Sequence, residues 1–280
     1  MIKKILKLLK KFLPSLFYWY MKKIYLFFMD YRSQNYDLSK DLYYNERLIK
    51  SFRLDIDKIK LRLNSTNYSY QSTSLSWHYH LFAGLKDYFK DKKISILEIG
   101  THNAEFTNFI SKIYEKSLIT TIDLDENDEQ FKNTYNRDQK KELDNFLKLR
   151  EEKLNRNNVN FIKLNSINIK KYFFGKKFDL IWVDGDHLNP QVTIDIINSL
   201  DLLNSNGILC VDDIIKDINF KKNNYVSNES YFTLNHLESS KKIKNYFFIK
   251  RIRRENSYKK KYCSLSIFYQ NNNLKKKDKE

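Results

Sequence analysis

Glycine and proline are scarce in this sequence, at 5 and 2 in 280 residues. That scarcity excludes a collagen-like chain, a linker-rich chain and an all-β architecture dense in tight turns. The two cysteines, Cys210 and Cys263, cannot staple a chain of this length, and they cannot build a cysteine-rich zinc site. Long apolar runs are missing as well. Within the first 29 residues the longest uncharged run, Phe12 to Met21, has 10 residues and contains Pro14, whereas a spanning helix needs about 20. Tyr18, Trp19 and Tyr20 stand where a secretory leader would place small residues for cleavage. What is present, 41% apolar and 30% charged residues, suffices for a buried core. The expectation is a globular protein of a reducing compartment, the cytoplasm.

The net charge of +17 invites a nucleic-acid reading. Its distribution speaks against one: residues 1–93 carry +11, residues 94–249 carry −2 and residues 250–280 carry +8. A nearly neutral middle with basic ends suits a catalytic core whose ends meet an anionic surface. Residues 1–29 hold seven lysines and no acid. Ile2, Ile5, Leu6, Leu9, Phe12, Leu13, Leu16 and Phe17 recur at helical spacing, with Lys3, Lys4, Lys7, Lys10 and Lys11 on the other face. Such a basic amphipathic segment is expected to lie on the inner membrane surface, or else to pack on the core or a partner subunit. The oligomeric state is not legible.

Four regions follow from the pattern: the segment 1–29, a helical extension over 30–93, a main domain over 94–270 and a polar tail over 271–280. Within the extension, Leu42, Leu48, Ile49, Phe52, Ile56, Ile59 and Leu63 predict one helix from Asp37 to about Leu63, and a second helix runs from Leu75 to about Lys90. The main domain alternates short apolar strands (94–99, 118–124, 159–164, 178–184 and 208–212) with helices at 103–115, 138–156 and 189–203. This is the signature of a parallel sheet covered on both faces, an α/β doubly wound fold. After a helix near 229–243, residues 246–251 and 264–269 predict a terminal strand pair around a basic loop.

In such a fold the ligand lies outside the carboxyl ends of the strands. The first strand ends in ILEIGTHNAEF, with Glu98 and Gly100 at the turn. A dinucleotide site wants G-x-G-x-x-G there, so that backbone can approach a pyrophosphate. Here His102 takes the second glycine's place and Glu105 the third's, and a carboxylate is a poor neighbour for a diphosphate. The second strand ends at Asp123, placed to accept ribose hydroxyls or simply to cap a turn. The fourth ends in WVDGDHLNP, where Asp184, Asp186 and His187 crowd into four residues, with Asn189 as N-cap and Pro190 as first helical residue. The fifth ends in CVDD, with Asp212 and Asp213. Neighbouring strands lie about 4.8 Å apart, so Asp184, Asp212 and Asp213 share one edge. Three crowded carboxylates suggest a hard divalent cation such as Mg²⁺, or separate capping and lysine-pairing roles.

These residues together resemble the class I S-adenosylmethionine-dependent methyltransferases, over about 120 residues from Ile94 to Asp213. The motifs FDLIWVDGDH and NGILCVDDI are similar to those of the O-methyltransferases that act on sugars and catechols. The resemblance implies a Rossmann-like methyltransferase fold, with a mainly parallel seven-stranded sheet and an antiparallel last strand. It implies cofactor contacts from Glu98, Gly100, Thr101, His102, Asp123 and Asp184, and adenine contacts from Asn165 and Ser166, which otherwise cap a short helix. It further implies a metal held by Asp184, Asp212 and Asp213, with His187 and Asp184 as catalytic groups and His187 the general base. The expected acceptor is a small molecule or a glycan, namely a sugar hydroxyl in a cell-surface glycan or glycolipid precursor. A nucleic-acid-directed methyltransferase is the alternative, resting on the basic ends alone. The WHYH run, Trp77 to His80, either offers a histidine to substrate or docks a helix on the sheet.

Overall fold

Five short segments rich in Ile, Leu and Val lie side by side as parallel strands: β1 (Ser95–Ile99), β2 (Leu118–Asp123), β3 (Val159–Lys163), β4 (Phe178–Val183) and β5 (Leu203–Ile215). This computed structural model describes residues 38–72, 75–133, 140–222, 225–250 and 261–269. The segment 1–29 and the tail 271–280 lie outside the described residues. Two further strands, β6 (Ile243–Ile249) and β7 (Lys261–Phe268), complete a seven-stranded sheet of order β3-β2-β1-β4-β5-β7-β6. β7 is antiparallel to both its neighbours. The fold is the expected doubly wound one, with a single antiparallel strand. Strand order reverses between β1 and β4, where such sheets open a ligand crevice.

Both faces of the sheet are covered, which is why its strands are nearly continuously apolar. On one face pack α1 (Leu38–Ser51), α2 (Ile56–Ser65), α3 (Trp77–Tyr88) and α4 (Glu105–Ile113), against Ile96, Trp182, Cys210 and Phe248. Between β2 and β3 lie α5 (Glu129–Asn133) and α6 (Lys140–Leu154). The other face carries α7 (Ile169–Tyr172), α8 (Gln191–Leu202) and α9 (Glu229–Ser239), against Leu97, Ile99, Ile181, Val183 and Val211. The period-two alternation of strand side chains sorts these residues into two cores. Each fully buried side chain such as Phe109 or Ile196 contributes about 1.5–3 kcal/mol.

Three local expectations are corrected. The single helix over 37–63 is two, because Asp55 caps α2: its Oδ1 accepts the backbone N–H of Asp57 at 2.9 Å and of Lys58 at 3.3 Å, a cap worth about 1 kcal/mol. Pro190 takes the N-cap position of α8 after a cis Asn189–Pro190 bond, and Asn189 Oδ1 instead accepts from Thr193 Oγ1 at 2.6 Å. β5 runs to Ile215, with its register against β7 shifting between Val211 and Ile214 and Asp213 left-handed at φ 50°. That bulge has the two-against-one form that re-aims side chains.

The N-terminal helices reach across to the far side of the sheet. Asn45 in α1 donates through Nδ2 to Ile249 O at 2.9 Å and accepts Ile249 N–H at 2.8 Å. At the start of α3, Trp77 N–H donates to Lys250 O at 2.6 Å. The end of β6 is therefore fixed by α1 and α3. Among the described residues, no helix is long and apolar enough to cross a membrane.

Candidate active site

The strand reversal, where a doubly wound sheet opens its crevice, is built from backbone. Gly100 has φ +100°, and a Cβ there would stand 2.2 Å from Asp184 O, so only glycine fits where the β1 and β4 ends meet. Asp184 N–H donates to Ile99 O at 2.8 Å, and Gly100 N–H to Ile122 O at 2.9 Å. The turn continues through His102 at φ 48° and Ala104 at φ 55°. Both follow a glycine-type path with a side chain attached, at a cost of about 1–2 kcal/mol each. Sequence alone marked His102 only as a departure from a glycine pattern.

Asp123 is pinned at the lip. Its Oδ2 accepts the His102 N–H and its Oδ1 the Leu124 N–H, both at 2.8 Å. Beneath it Glu98 is buried, its Oε2 accepting from Thr107 Oγ1 at 2.6 Å, and burial pushes its pKa up to about 7. Thr101 Oγ1 lies 2.6 Å from Thr121 Oγ1. At the end of β3, Asn165 Oδ1 accepts the Ile167 N–H at 3.1 Å, and Ser166 Oγ accepts from Gln191 Nε2 at 2.7 Å. Asn165 thus takes the capping role in this structure. Glu105, which opens α4, pairs with Lys153 at 2.8 Å and keeps a carboxylate where a diphosphate would sit. The donor set fits S-adenosylmethionine, a phosphate-free nucleoside whose ribose hydroxyls Asp123 would accept.

Beyond the crevice, charge takes over. Asp184 at the end of β4, His187 in the following turn, Asp212 and Asp213 at the β5 bulge, and Lys250 and Lys261 on the β6–β7 pair form one cluster. Lys250 Nζ sits 2.5 Å from Asp212 Oδ2 and 2.5 Å from Asp213 Oδ1, and Lys261 pairs with the other oxygen of Asp213. His187 Nε2 lies 3.6 Å from Asp184 Oδ1 and 3.9 Å from Asp213 Oδ2. Burial lowers the pKa of His187 and outweighs the attraction of Asp213 and Asp212. Burial and the neighbouring Asp212 raise that of Asp184, although its side chain keeps 31% of its surface exposed. Burial alone would raise Asp212 and Asp213, but the Lys250 ammonium beside them reverses the direction and holds both below the usual carboxylate range. His78 Nδ1 stands 3.9 Å from Asp212 Oδ2 and 3.0 Å from Ser76 Oγ. Burial pushes its pKa down to about 3, so it is neutral.

Residues 97–214 match a family model described as a methyltransferase domain. That stretch of the chain is a methyltransferase domain. No curated protein matches the sequence. Among solved structures, a putative O-methyltransferase from Klebsiella pneumoniae is similar at 13% identity and TM-score 0.48, covering 82% of this chain and 99% of that one. A putative caffeoyl-CoA O-methyltransferase from Staphylococcus aureus is similar at 16% identity and TM-score 0.48, covering 67% of this chain and 82% of its own. The O-methyltransferase TomG from Streptomyces achromogenes, solved with SAM, is similar at 12% identity and TM-score 0.47, covering 82% and 96%.

In this methyltransferase the expected metal triad is not supported. Asp212 and Asp213 already hold an ammonium group between them, and a second ammonium lies on Asp213. A dication about 4 Å from an ammonium is repelled by roughly 8 kcal/mol at an effective dielectric of 20, twice the single-charge figure. Among the described residues, no group of three or more His, Cys, Asp or Glu is arranged to hold a metal. Lys250 and Lys261 are the residues that the sequence reading missed. The signal was there: Lys250 follows Phe248 by two and Lys261 precedes Cys263 by two, so both share the face of Asp212. Of the WHYH histidines, His80 stacks on Trp77 at 4.4 Å as packing, and His78 reaches Asp212.

Proposed function

We propose that this methyltransferase methylates a hydroxyl oxygen, that of a sugar in a glycan or glycolipid precursor, with His187 as general base. The observation that carries the reading is the neutral imidazole of His187 between Asp184 and Asp213, at the strand ends beside the Gly100 crevice. The bound cofactor supplies an electrophilic methyl group on its sulfonium. Asp123 accepts ribose hydroxyls, and Gly100 lets the β1 turn lie against the end of β4. Asn165 and Ser166 border the adenine side. A sugar hydroxyl is a weak nucleophile until its proton leaves, and His187 Nε2 takes that proton as the C–O bond forms. The resulting imidazolium faces the Asp213 carboxylate, which lowers the energy of the charged state.

The basic segment 1–29 supports attachment to anionic lipid on the cytoplasmic face, close to lipid-linked sugar acceptors. Liposome flotation tests this: removal of residues 1–29 is expected to abolish recovery with phosphatidylserine vesicles, and equal flotation without them would refute it. For the activity, calorimetry is expected to show binding of S-adenosylmethionine and S-adenosylhomocysteine and none of NAD. Asp123→Ala is expected to weaken that binding by about 1.5–3 kcal/mol, the range for hydrogen bonds to a charged group. Transfer of labelled methyl to RNA and not to lipid-linked glycans would overturn the acceptor class.

A further inference from the structure

The residues that decide whether the acceptor end of this site needs a metal are two lysines on the terminal strand pair. Lys250 is not a loose surface side chain that happens to meet an acid. Its N–H donates to Lys261 O at 2.9 Å, and its carbonyl accepts the Trp77 N–H at 2.6 Å. The residue before it is clipped twice by Asn45. Its side chain keeps only 14% of its surface exposed, and Asp212 keeps 1%. The β5 bulge, with Asp213 left-handed, puts two consecutive carboxylates around one ammonium where a regular strand would send them to opposite faces.

We propose that the Lys250 ammonium occupies the place a divalent cation would take between Asp212 and Asp213, so that this methyltransferase works without a metal. The inference rests on the O-methyltransferase reading for its consequence, but its physical content concerns cation binding alone. Two ammonium groups balance the Asp212 and Asp213 carboxylates, and neutral His78 and His187 add no charge. Lys250 is then a positioning residue. It fixes Asp213, which faces His187, and so fixes where the imidazole stands relative to the acceptor oxygen. Asp212 Oδ1 and Trp182 Nε1 are buried without a hydrogen-bond partner. A cation seeking this site has that orphan oxygen and the half-buried Asp184 carboxyl beside it to reach, and the test reads whether it does.

Manganese(II) is the probe, followed by the loss of its free electron paramagnetic resonance signal on addition of the full chain. Wild-type protein is expected to leave the free signal intact at millimolar protein, and turnover is expected to change less than twofold between chelator and added Mg²⁺. Lys250→Met, checked for folding by circular dichroism, is expected to gain stoichiometric manganese binding that Mg²⁺ competes away and that Asp213→Asn abolishes. One-to-one binding by the wild type, lost in Asp212→Asn, would overturn the proposal. So would a folded Lys250→Met that binds no manganese. If Lys250→Met does not fold, the wild-type titration still decides. Failure of the methyltransferase reading itself would show separately, as absent S-adenosylmethionine binding in calorimetry.

Discussion

The two halves of the crevice are made of different material. Around β1 to β3 the strand-end groups are mostly backbone: the Gly100 turn, left-handed His102 and Ala104, and an Asp123 held by two backbone N–H groups. Around β4 to β7 they are ions, with three carboxylates, two lysines and two neutral histidines within a few ångströms. In the proposed reaction a cofactor of fixed shape would meet a shaped turn, whereas a hydroxyl that must lose a proton would meet groups that can move one. The difference teaches where each half is vulnerable. The first should respond to changes in backbone conformation and the second to changes in charge.

The largest effect belongs to the ionic half. His187→Ala is expected to lower kcat by about 10²–10⁴-fold, the usual contribution of a general base, with S-adenosylmethionine affinity unchanged by calorimetry. Because burial lowers the His187 pKa, the neutral base persists as pH falls past the ordinary histidine value of about 6.5. The acid limb of the kcat/KM profile is therefore expected below pH 6.5, and a limb above it would contradict the buried-base geometry. Next comes stability. Lys250→Ala strands a buried Asp212 and is expected to cost about 3–5 kcal/mol in urea unfolding. Lys250→Met combined with Asp212→Leu should recover most of the loss, and an equal loss in the double variant would mean that packing, not charge, is at stake. The smallest effect lies in the shaped half. His102→Gly and Ala104→Gly relieve left-handed strain, partly offset by unfolded-state entropy, so each is expected to stabilise by about 0.5–1 kcal/mol. Destabilisation by either would show that the side chain, not the turn, matters there.

The fold was legible because two-sided burial writes each parallel strand as an apolar run, and β1 to β5 were all found within a few residues of their ends, except the start and finish of β5. The acids were legible too, since Asp123 and Asp184 stand just where apolar runs stop and Asp212 and Asp213 interrupt one. Their partners were marked by strand parity alone. Lys250 and Lys261 sit in basic stretches, where one lysine looks like another, and only the pairing of β7 with β5, and of β6 with β7, brings these two to Asp212 and Asp213. The split between α1 and α2 was hidden because Phe52 and Leu54 continue an apolar pattern that the Asp55 cap interrupts. A cap is decided by one side-chain oxygen, which periodicity does not register.

Asn45 closes its two hydrogen bonds on a strand 204 residues further along the chain. At a synthesis rate of about 5–20 residues per second, the partner strand leaves the ribosome roughly 10–40 s after the helix does. Throughout that interval the helix bearing Asn45 has no β6 to dock on, and the wall behind Lys250 cannot be assembled. The helix α1 is thus made long before the strand it clips. Its docking waits on the same terminal strands that bring Lys250 beside its acids.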